Sequence, residues 1–345
     1  MKEIDTLVHE IKSVWHAYSE VIENKEGFRH NLVEKQHKYT LYCGFSFPDK
    51  KKSLLFGFYN ASSGRSMVMP HGKGFSVAHA KSEALSPEYD WITIVCDEEE
   101  YEEIFLSMLR DLLHVINERE MDSDGAQLLQ IVIDRIRAWQ KFLGKSKALT
   151  LTKEQEIGLW GELIVFLRLL ESDCSPHLLC TMWSGPENAP QDFIHAGYAI
   201  EVKTNVHQLL KKVRISSLEQ LDASPFAALF LICNILTVDD QEGRTLASLV
   251  SLLTSMLSED ELKQSFQNKL ISYGYIEEYS MYYDTPYTVL EQYLYQIDSL
   301  FPVLTPQNVP KEVVSALYTL DLSQYSSSVS FEEIVKKWSV RQNVY

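Results

Sequence analysis

The run of residues 190–203, PQDFIHAGYAIEVK, constrains the fold of this chain more than any other segment. The Ala-Gly pair at 196–197 reads as a tight turn between two short strands, so the run predicts a β-hairpin. Because alternate side chains of a strand share a face, Glu201 and Lys203 are expected to lie together. Asp192 falls on the paired strand, across the turn. The hairpin therefore brings two carboxylates and one ammonium group to one end of a small sheet.

This set of groups is suited to a hard cation. Asp192, Glu201 and the backbone carbonyl of Val202 supply the oxygen ligands that Mg²⁺ prefers, and Mn²⁺ is expected to substitute for it. A bound cation makes a coordinated water easier to deprotonate and neutralises charge that builds on a phosphate. Lys203 can orient that water and offset phosphate charge. The pattern indicates a metal-dependent site that acts on a phosphodiester.

A fourth acidic residue, Glu162, is expected to join the site from a helix. A capping-box pattern predicts that this helix runs from residue 153 to about residue 171. Gly158 and Gly161 each cost ~1 kcal/mol relative to alanine inside a helix, and they indicate close packing against another backbone. Such packing would hold Glu162 beside the sheet, within reach of the metal or its water shell. The alternative is an ion pair on the helix surface, for example with Arg168.

The elements predicted around the hairpin follow the order αβββαβ. The helix precedes the hairpin, and residues 212–216 read as a third strand. Residues 217–221 read as a short second helix. Residues 227–236 are almost continuously apolar, as in a strand that is covered on both faces. The predicted fold class is mixed α/β, of the α+β type.

At 345 residues the chain is long enough for more than one domain. A small polar linker predicts a boundary near residue 150. Residues 1–150 are expected to form a β-rich module with two helices, residues 151–240 the core, and residues 241–345 a mostly helical region. The Tyr-rich stretch at 273–295 has helical spacing, which favours an aromatic packing face or a subunit interface. A homo-oligomer is therefore one expectation.

Together these segments resemble the PD-(D/E)XK nuclease superfamily. Asp192 corresponds to the acidic residue of the "PD" segment and residues 201–203 to the "(D/E)XK" segment, although Gln191 separates Pro190 from Asp192. The chain is also similar to a bacterial family of PD-(D/E)XK members without assigned function, often encoded beside restriction and DNA-methyltransferase genes. The segments that carry this second resemblance are Ile157–Leu163, Trp183–Pro186, Gln191–Phe193, Glu201–Thr204 and Ser217–Leu221.

The resemblance implies a restriction-endonuclease-like αβββαβ core, Mg²⁺ dependence and double-stranded DNA as the substrate. It implies that Asp192, Glu201, Lys203 and Glu162 are catalytic. It further implies that Asp192, Glu201 and the Val202 carbonyl hold the metal, with Glu162 acting directly or through a water. A subunit of a multi-gene restriction or phage-defence system is the expected context.

The charge balance argues against tight DNA binding by the chain alone. There are 32 Lys and Arg against 48 Asp and Glu, a net charge of −16, whereas proteins that grip DNA usually present a basic face. Lys212 and Arg214 share a strand face and are candidates for phosphate contact, but a solvated strand end explains them equally well. Gln220 is a candidate for contact with DNA or with a metal-bound water, or else a buried polar helix residue. Other subunits are therefore expected to supply the grip on DNA.

The cysteines and the apolar runs indicate a cytoplasmic protein. Five cysteines without CxxC spacing argue against a zinc site or a disulfide framework and favour reduced thiols. The longest apolar run is far shorter than the roughly 20 residues of a membrane span. The N-terminus lacks the apolar segment of a signal peptide.

Three functions are open from the sequence. The first is a Mg²⁺-dependent endodeoxyribonuclease, the cleavage subunit of a restriction or phage-defence system. The second is a non-catalytic DNA-binding or assembly subunit that keeps the nuclease fold, which the net charge of −16 favours. The third is a metal-dependent phosphodiesterase that acts on RNA or in repair.

Overall fold

The computed structural model describes residues 3–18, 27–61, 68–70, 73–81, 85–146, 148–172, 174–187, 189–206 and 212–339. The chain divides into two compact units, Met1–Leu149 and Thr150–Tyr345. The sequence predicts a module boundary near residue 150. No helix in the described ranges is both long enough and apolar enough to cross a membrane. All five cysteines are buried, and none forms a disulfide bond with another.

The first unit is built on an antiparallel sheet of five strands in the order β1-β2-β3-β5-β4. The second strand coincides with a segment rich in aromatic and β-branched residues, the composition that favours a pleated and half-buried surface. The elements are α1 (Ile4–Tyr18), β1 (Gly27–Lys35), β2 (Tyr39–Phe47), β3 (Lys51–Tyr59), β4 (Phe75–His79), β5 (Tyr89–Cys96), α2 (Glu102–Arg119) and α3 (Gly125–Lys145).

The second unit contains a sheet of four strands in the order β10-β9-β7-β6. Strands β7 and β9 are parallel, and the other two pairs are antiparallel. The elements are α4 (Lys153–Glu171), α5 (Pro176–Met182), β6 (Phe193–His195), β7 (Tyr198–Val206), β8 (Lys212–Ile215), β9 (Ala228–Val238), α6 (Leu246–Met256), α7 (Asp260–Tyr273), β10 (Tyr287–Ile297), β11 (Tyr318–Asp321) and α8 (Phe331–Ser339).

The four-stranded sheet is covered on both faces. Ile200 and Val202 of β7 belong to the apolar cluster that includes α4 and α6, whereas Ala199 belongs to a second cluster with β8 and β11. Strand β9 is buried over nearly its whole length, which explains its apolar sequence. Glu201 and Lys203 have the parity of Ala199, so they lie on the face opposite Ile200 and Val202, as the sequence predicts.

The α+β fold class is confirmed, but the predicted third strand and second helix differ in detail. Strand β8 pairs with β11 in a separate two-stranded sheet and does not join the hairpin. The segment 217–221 is a turn instead of a helix. The short helix α5 lies between α4 and the hairpin, with a proline in its first turn. Five residues are too few for a stable helix without strong packing, so tertiary contacts decided the turn.

The prediction of a mostly helical region at 241–345 is wrong. Strand β10 lies within it and forms the edge of the main sheet, antiparallel to β9, and β11 lies within it as well. The buried strand β9 needs partners for its backbone N–H and C=O groups along both edges, and β10 supplies one of them. The Tyr-rich stretch is therefore in part a strand. Its predicted helical spacing was misleading because tyrosines also favour strands.

Candidate functional site

The site is carried by the hairpin of β6 and β7, at the end away from its turn. Phe193 pairs with Ile200 and His195 with Tyr198, so the two strands form a tight antiparallel hairpin. Ala196 and Gly197 both have positive φ, 47° and 84°, as a two-residue turn with the twist of the flanking strands requires. This geometry is the one that the Ala-Gly pair predicts.

Asp192 lies just before β6, and hydrogen bonds hold both its side chain and its backbone carbonyl. Its Oδ2 accepts a hydrogen bond of 2.7 Å from the backbone N–H of Val202. Its backbone carbonyl accepts from the N–H groups of Ser184 and Gly185, at 2.7 and 3.1 Å. The N–H and C=O of an extended residue share one strand edge. The carbonyl of Val202 therefore lies on the edge that Asp192 faces.

Glu201 and Lys203 form an ion pair in the interior of the unit. Lys203 Nζ lies 2.7 Å from Glu201 Oε1. The Lys203 side chain is 17% exposed and the Glu201 side chain 2%. Lys203 Nζ also donates to Gln220 Oε1 at 3.3 Å. The second oxygen of Glu201, Oε2, is buried and has no hydrogen-bond partner among the described residues. A buried carboxylate oxygen without a donor is costly, so this atom is available to a cation.

Helix α4 brings Glu162 to the same place. Its Oε2 accepts a hydrogen bond of 2.8 Å from the indole Nε1–H of the buried Trp183. A methyl group added to Gly185 would lie 2.4 Å from Glu162 Oε2 and 3.2 Å from Asp192 Oδ1. The two carboxylates therefore face the same point beside Gly185, and only a residue without a side chain fits there.

The two glycines of α4 have separate partners. A methyl group on Gly161 would lie 1.7 Å from Thr204 Oγ1 on β7, so this glycine allows the helix to pack closely against the hairpin. A methyl group on Gly158 would lie 3.2 Å from the hydroxyl of Tyr273. The predicted close packing against the sheet is therefore seen at Gly161, whereas Gly158 accommodates the end of a tyrosine side chain.

Burial raises the pKa of all three carboxyl groups, and the charge of Asp192 adds to the shift for Glu201 and Glu162. Burial, followed by the charge of Asp192, raises the pKa of Glu201 to about 8, although Lys203 opposes the shift. Burial raises the pKa of Asp192 to about 6 against the opposing effects of Lys203 and the Val202 N–H. Burial and then Asp192 raise the pKa of Glu162 well above its usual value. Raised pKa values of this kind are typical of closely spaced carboxyl groups in a buried site.

Lys203 remains an ammonium group in this environment. Burial by itself would lower the pKa of Lys203, but the carboxylates of Glu201 and Asp192 together raise it. One ammonium group thus faces three carboxyl groups. A further positive charge would therefore be electrostatically favourable in the site.

The residues fit a divalent cation of the Mg²⁺ type. Within the described ranges, no three His, Cys, Asp or Glu side chains are grouped closely enough to hold a metal ion by themselves. Mg²⁺ needs fewer, because it usually keeps several waters and takes one or two carboxylates. Asp192 and the free Oε2 of Glu201 would hold it, with the carbonyl of Val202 as a third oxygen. Glu162 would act directly or through a water.

The chain matches one known protein family over most of its length. The family described as "Putative PD-(D/E)XK family member, (DUF4420)" matches residues 11–323. The chain belongs to this PD-(D/E)XK family. The suspected resemblance is therefore confirmed, and the match covers both structural units. No curated protein and no solved structure matches the chain at a significant level.

The residues that the sequence suggested for DNA contact differ in solvent exposure in this PD-(D/E)XK family member. Lys212 and Arg214 are both exposed on one face of β8, while Val213 and Ile215 are buried. Arg214 lies 3.9 Å from Glu154 in a solvent-exposed ion pair.

Gln220 lies in the turn 217–221 and holds Lys203. Its Oε1 accepts from Lys203 Nζ at 3.3 Å and from the backbone N–H of Ser216 at 2.8 Å. The alternative of a buried helix residue is wrong because this segment is not helical.

Sequence reasoning missed two contributors to the site. Gln191 is 3% exposed, and its Nε2 donates to the carbonyls of Glu219 and Gln220 at 2.7 and 3.3 Å. It therefore links the segment that contains Asp192 to the turn that holds Lys203. Its position inside the family motif was the available signal. Tyr273, which hydrogen-bonds to Glu162, carried no signal because it is far from Glu162 along the chain.

Proposed function

We propose that this chain is a Mg²⁺-dependent endodeoxyribonuclease that hydrolyses phosphodiester bonds in DNA, as a component of a restriction or phage-defence system. One observation carries the proposal. In a PD-(D/E)XK family member, Asp192 meets the ion pair of Glu201 and Lys203 at the end of the hairpin, and Glu201 keeps a buried oxygen without a donor.

Each side chain has a distinct role in this proposal. Asp192 and Glu201 hold the cation, and the Val202 N–H keeps the Asp192 carboxylate in place. When bound, Mg²⁺ (or Mn²⁺ in its place) lowers the pKa of a coordinated water and neutralises charge on the phosphate. Lys203, an ammonium fixed between Glu201 and Gln220, orients the attacking water and offsets negative charge on the scissile phosphate. Glu162 supports the cation or its water shell.

Tight DNA binding requires contacts beyond those that this chain supplies. Its net charge of −16 opposes the approach of a polyanion. The exposed pair Lys212 and Arg214 on β8 supplies a short basic stripe that is suited to one or two phosphates. We infer that other subunits of a restriction or defence complex, or a second copy of the chain, add the remaining contacts.

A second function is favoured by the same charge. A subunit that recognises DNA or assembles a complex, and does not cleave, would tolerate a net charge of −16. It would also tolerate Glu201 being buried beside Lys203. In that case the carboxylates stabilise the fold or a cation, and another subunit supplies the chemistry.

Asp192→Asn separates these two functions. Purified protein with its partner subunits is incubated with unmethylated double-stranded plasmid and Mg²⁺, and cleavage is followed by gel electrophoresis. We expect wild-type protein to cut the plasmid and Asp192→Asn to lose more than a hundredfold in rate. Asp298→Asn is the matched control, because Asp298 also accepts a backbone N–H but lies on an exposed loop.

Phage restriction in cells completes the test. If Asp192→Asn leaves both restriction in cells and plasmid cleavage by the assembled complex unchanged, the second function holds. RNA of the same sequence is included as a substrate, because cleavage of RNA alone would overturn the assignment to DNA.

A further inference from the structure

We propose that Tyr273 and Trp183 are positioning residues that hold the Glu162 carboxylate towards Asp192 and thereby set the affinity of the site for its divalent cation. The proposal rests on the proposed function and extends it. Tyr273 ends α7, and Trp183 follows α5. Neither residue lies on the hairpin or on α4, so the site depends on the whole second unit.

Trp183 is held firmly enough to act as a fixed donor. It is completely buried, and its indole Nε1–H donates to Glu162 Oε2 at 2.8 Å. Its ring packs against Phe166 and Phe266, with centroids 6.0 and 5.7 Å away. The ammonium of Lys269 donates to its backbone carbonyl. Packing holds the ring and a hydrogen bond holds the backbone. The indole N–H is therefore fixed in its orientation towards Glu162.

Tyr273 supplies the second donor. Its hydroxyl hydrogen-bonds to Glu162, and burial followed by the charge of Glu162 raises the pKa of Tyr273 well above its usual value. Because a carboxylate oxygen only accepts, the hydroxyl is the donor in this hydrogen bond. Gly158 precedes Glu162 by one helical turn, and a methyl group there would lie 3.2 Å from the Tyr273 hydroxyl. The absence of a side chain at Gly158 allows the tyrosine to reach across α4 to the carboxylate.

The two donors fix the direction of the Glu162 carboxylate. Glu162 Oε2 and Asp192 Oδ1 face the same point beside Gly185, 2.4 and 3.2 Å from where a methyl group would lie. A buried carboxylate without donors would be free to rotate away from the other carboxylates. With them, its oxygens stay directed at the space that a cation or its water would share with Asp192. Outer hydrogen-bond partners of metal-binding carboxylates commonly contribute 10- to 100-fold in affinity.

Tyr273→Phe tests the proposal without reliance on catalysis. The affinity of the full chain for Mn²⁺ is measured by isothermal titration calorimetry, and the indole N–H signal of Trp183 is followed by nuclear magnetic resonance during an Mg²⁺ titration. We expect a saturable shift of the Trp183 signal in wild-type protein, and roughly tenfold weaker Mn²⁺ binding in Tyr273→Phe. Tyr282→Phe, at a side chain that is 65% exposed, is the matched control and should bind Mn²⁺ like wild type.

Gly158→Ala tests the same contact from the helix and keeps the tyrosine. Its methyl group would displace the Tyr273 hydroxyl by a few tenths of an ångström, so Mn²⁺ binding should weaken in the same direction. Because both changes act on one hydrogen bond, the double variant Gly158→Ala/Tyr273→Phe should lose no more affinity than Tyr273→Phe alone. Trp183→Phe should weaken binding by a comparable factor.

The outcomes separate this proposal from the proposed function. Weaker Mn²⁺ binding in Tyr273→Phe, without DNA cleavage by the wild type, supports the positioning role and removes the nuclease function. DNA cleavage by wild type, with unchanged Mn²⁺ affinity and unchanged kcat in Tyr273→Phe, overturns the positioning role and leaves the nuclease function intact. An unshifted Trp183 signal at saturating Mg²⁺ also overturns the positioning role.

Discussion

Lys203 Nζ lies 2.7 Å from Glu201 Oε1 on one face of β7, while Oε2 of the same carboxylate has no hydrogen-bond donor in the described part of the chain. A pair formed only for stability would satisfy both oxygens, because an unsatisfied buried oxygen costs about 1–3 kcal/mol. The half-satisfied pair therefore supports the cation site proposed above. The predictions below follow from this pair and from the residues that surround it.

Stability should depend on pH through Glu201. Folding raises its pKa from 4.5 to about 8, so the folded protein binds more protons than the unfolded chain between these values. The free energy of unfolding should therefore fall as the pH rises from about 5 to about 8 in the presence of a metal chelator. Asp192, with its pKa raised to about 6, adds to the fall at the acidic end of this range.

Glu201→Gln should remove most of this dependence. In urea denaturation with chelator, we expect the variant to be more stable than wild type at pH 8 and to match it near pH 5. Glu312→Gln, at an exposed position, serves as the control and should follow wild type at both pH values. Equal stability of wild-type protein at pH 5 and pH 8 would argue against a buried carboxyl group with a raised pKa.

Gly185→Ala should damage the site more than the fold. The added methyl group would lie 2.4 Å from Glu162 Oε2 and 3.2 Å from Asp192 Oδ1, so the carboxylates must move. We expect a loss of about 1–3 kcal/mol in the free energy of unfolding and at least tenfold weaker Mn²⁺ binding. Gly144→Ala is the control, because no atom lies within 4 Å of its added methyl group. Calorimetry and thermal unfolding of both variants give the comparison, and equal effects would contradict the prediction.

Gln191→Leu should release the turn that holds Lys203. The amide of Gln191 donates to the carbonyls of Glu219 and Gln220, and its loss should cost about 1–3 kcal/mol. Because Gln220 is then free to move away from Lys203, we expect a lower kcat with little change in KM for DNA. Gln307→Leu, at an exposed position where the amide also donates two hydrogen bonds, should leave kcat unchanged. A purely structural role for Gln191 would lower stability without changing kcat.

Lys212→Ala should weaken DNA binding without regard to sequence. Lys212 is exposed on β8 beside Arg214, where it can meet a phosphate. Removal of one such contact should reduce the dependence of log K on log salt by about 0.9 for duplex DNA. Fluorescence anisotropy of the full complex at several salt concentrations measures this slope. Lys263→Ala, on α7 in an ion pair with Asp260, is the control. An unchanged slope for Lys212→Ala would mean that β8 faces away from DNA.

Local patterns were sufficient for the elements whose contacts are close along the chain. The hairpin of β6 and β7 could be predicted because its register depends on one Ala-Gly turn and on the alternation of side chains. Helix α4 could be predicted because its capping box, Thr152 with Gln155, acts within one turn. These two predictions also located the four candidate site residues. Three of them lie on the hairpin segment, and the fourth, Glu162, lies on α4.

Pairing between distant segments could not be predicted in the same way. Strand β8 resembles a third strand of the core, but its partner is β11, about a hundred residues later. Strand β10 was mistaken for helical sequence because its role is to cover the edge of β9. Choice of partner depends on which edge is left open after the rest of the sheet forms.

The sequence by itself determined the chemical groups of the site, because Asp192, Glu201 and Lys203 are brought together by the pleat of one hairpin. Only the tertiary structure decided how these groups are held. Trp183 and Tyr273 direct Glu162, and Gln191 supports the turn that holds Lys203 through Gln220. The physical reason is that strand alternation and turn geometry act between near neighbours. A hydrogen bond between residues far apart along the chain exists only when the packing of the whole unit brings donor and acceptor together.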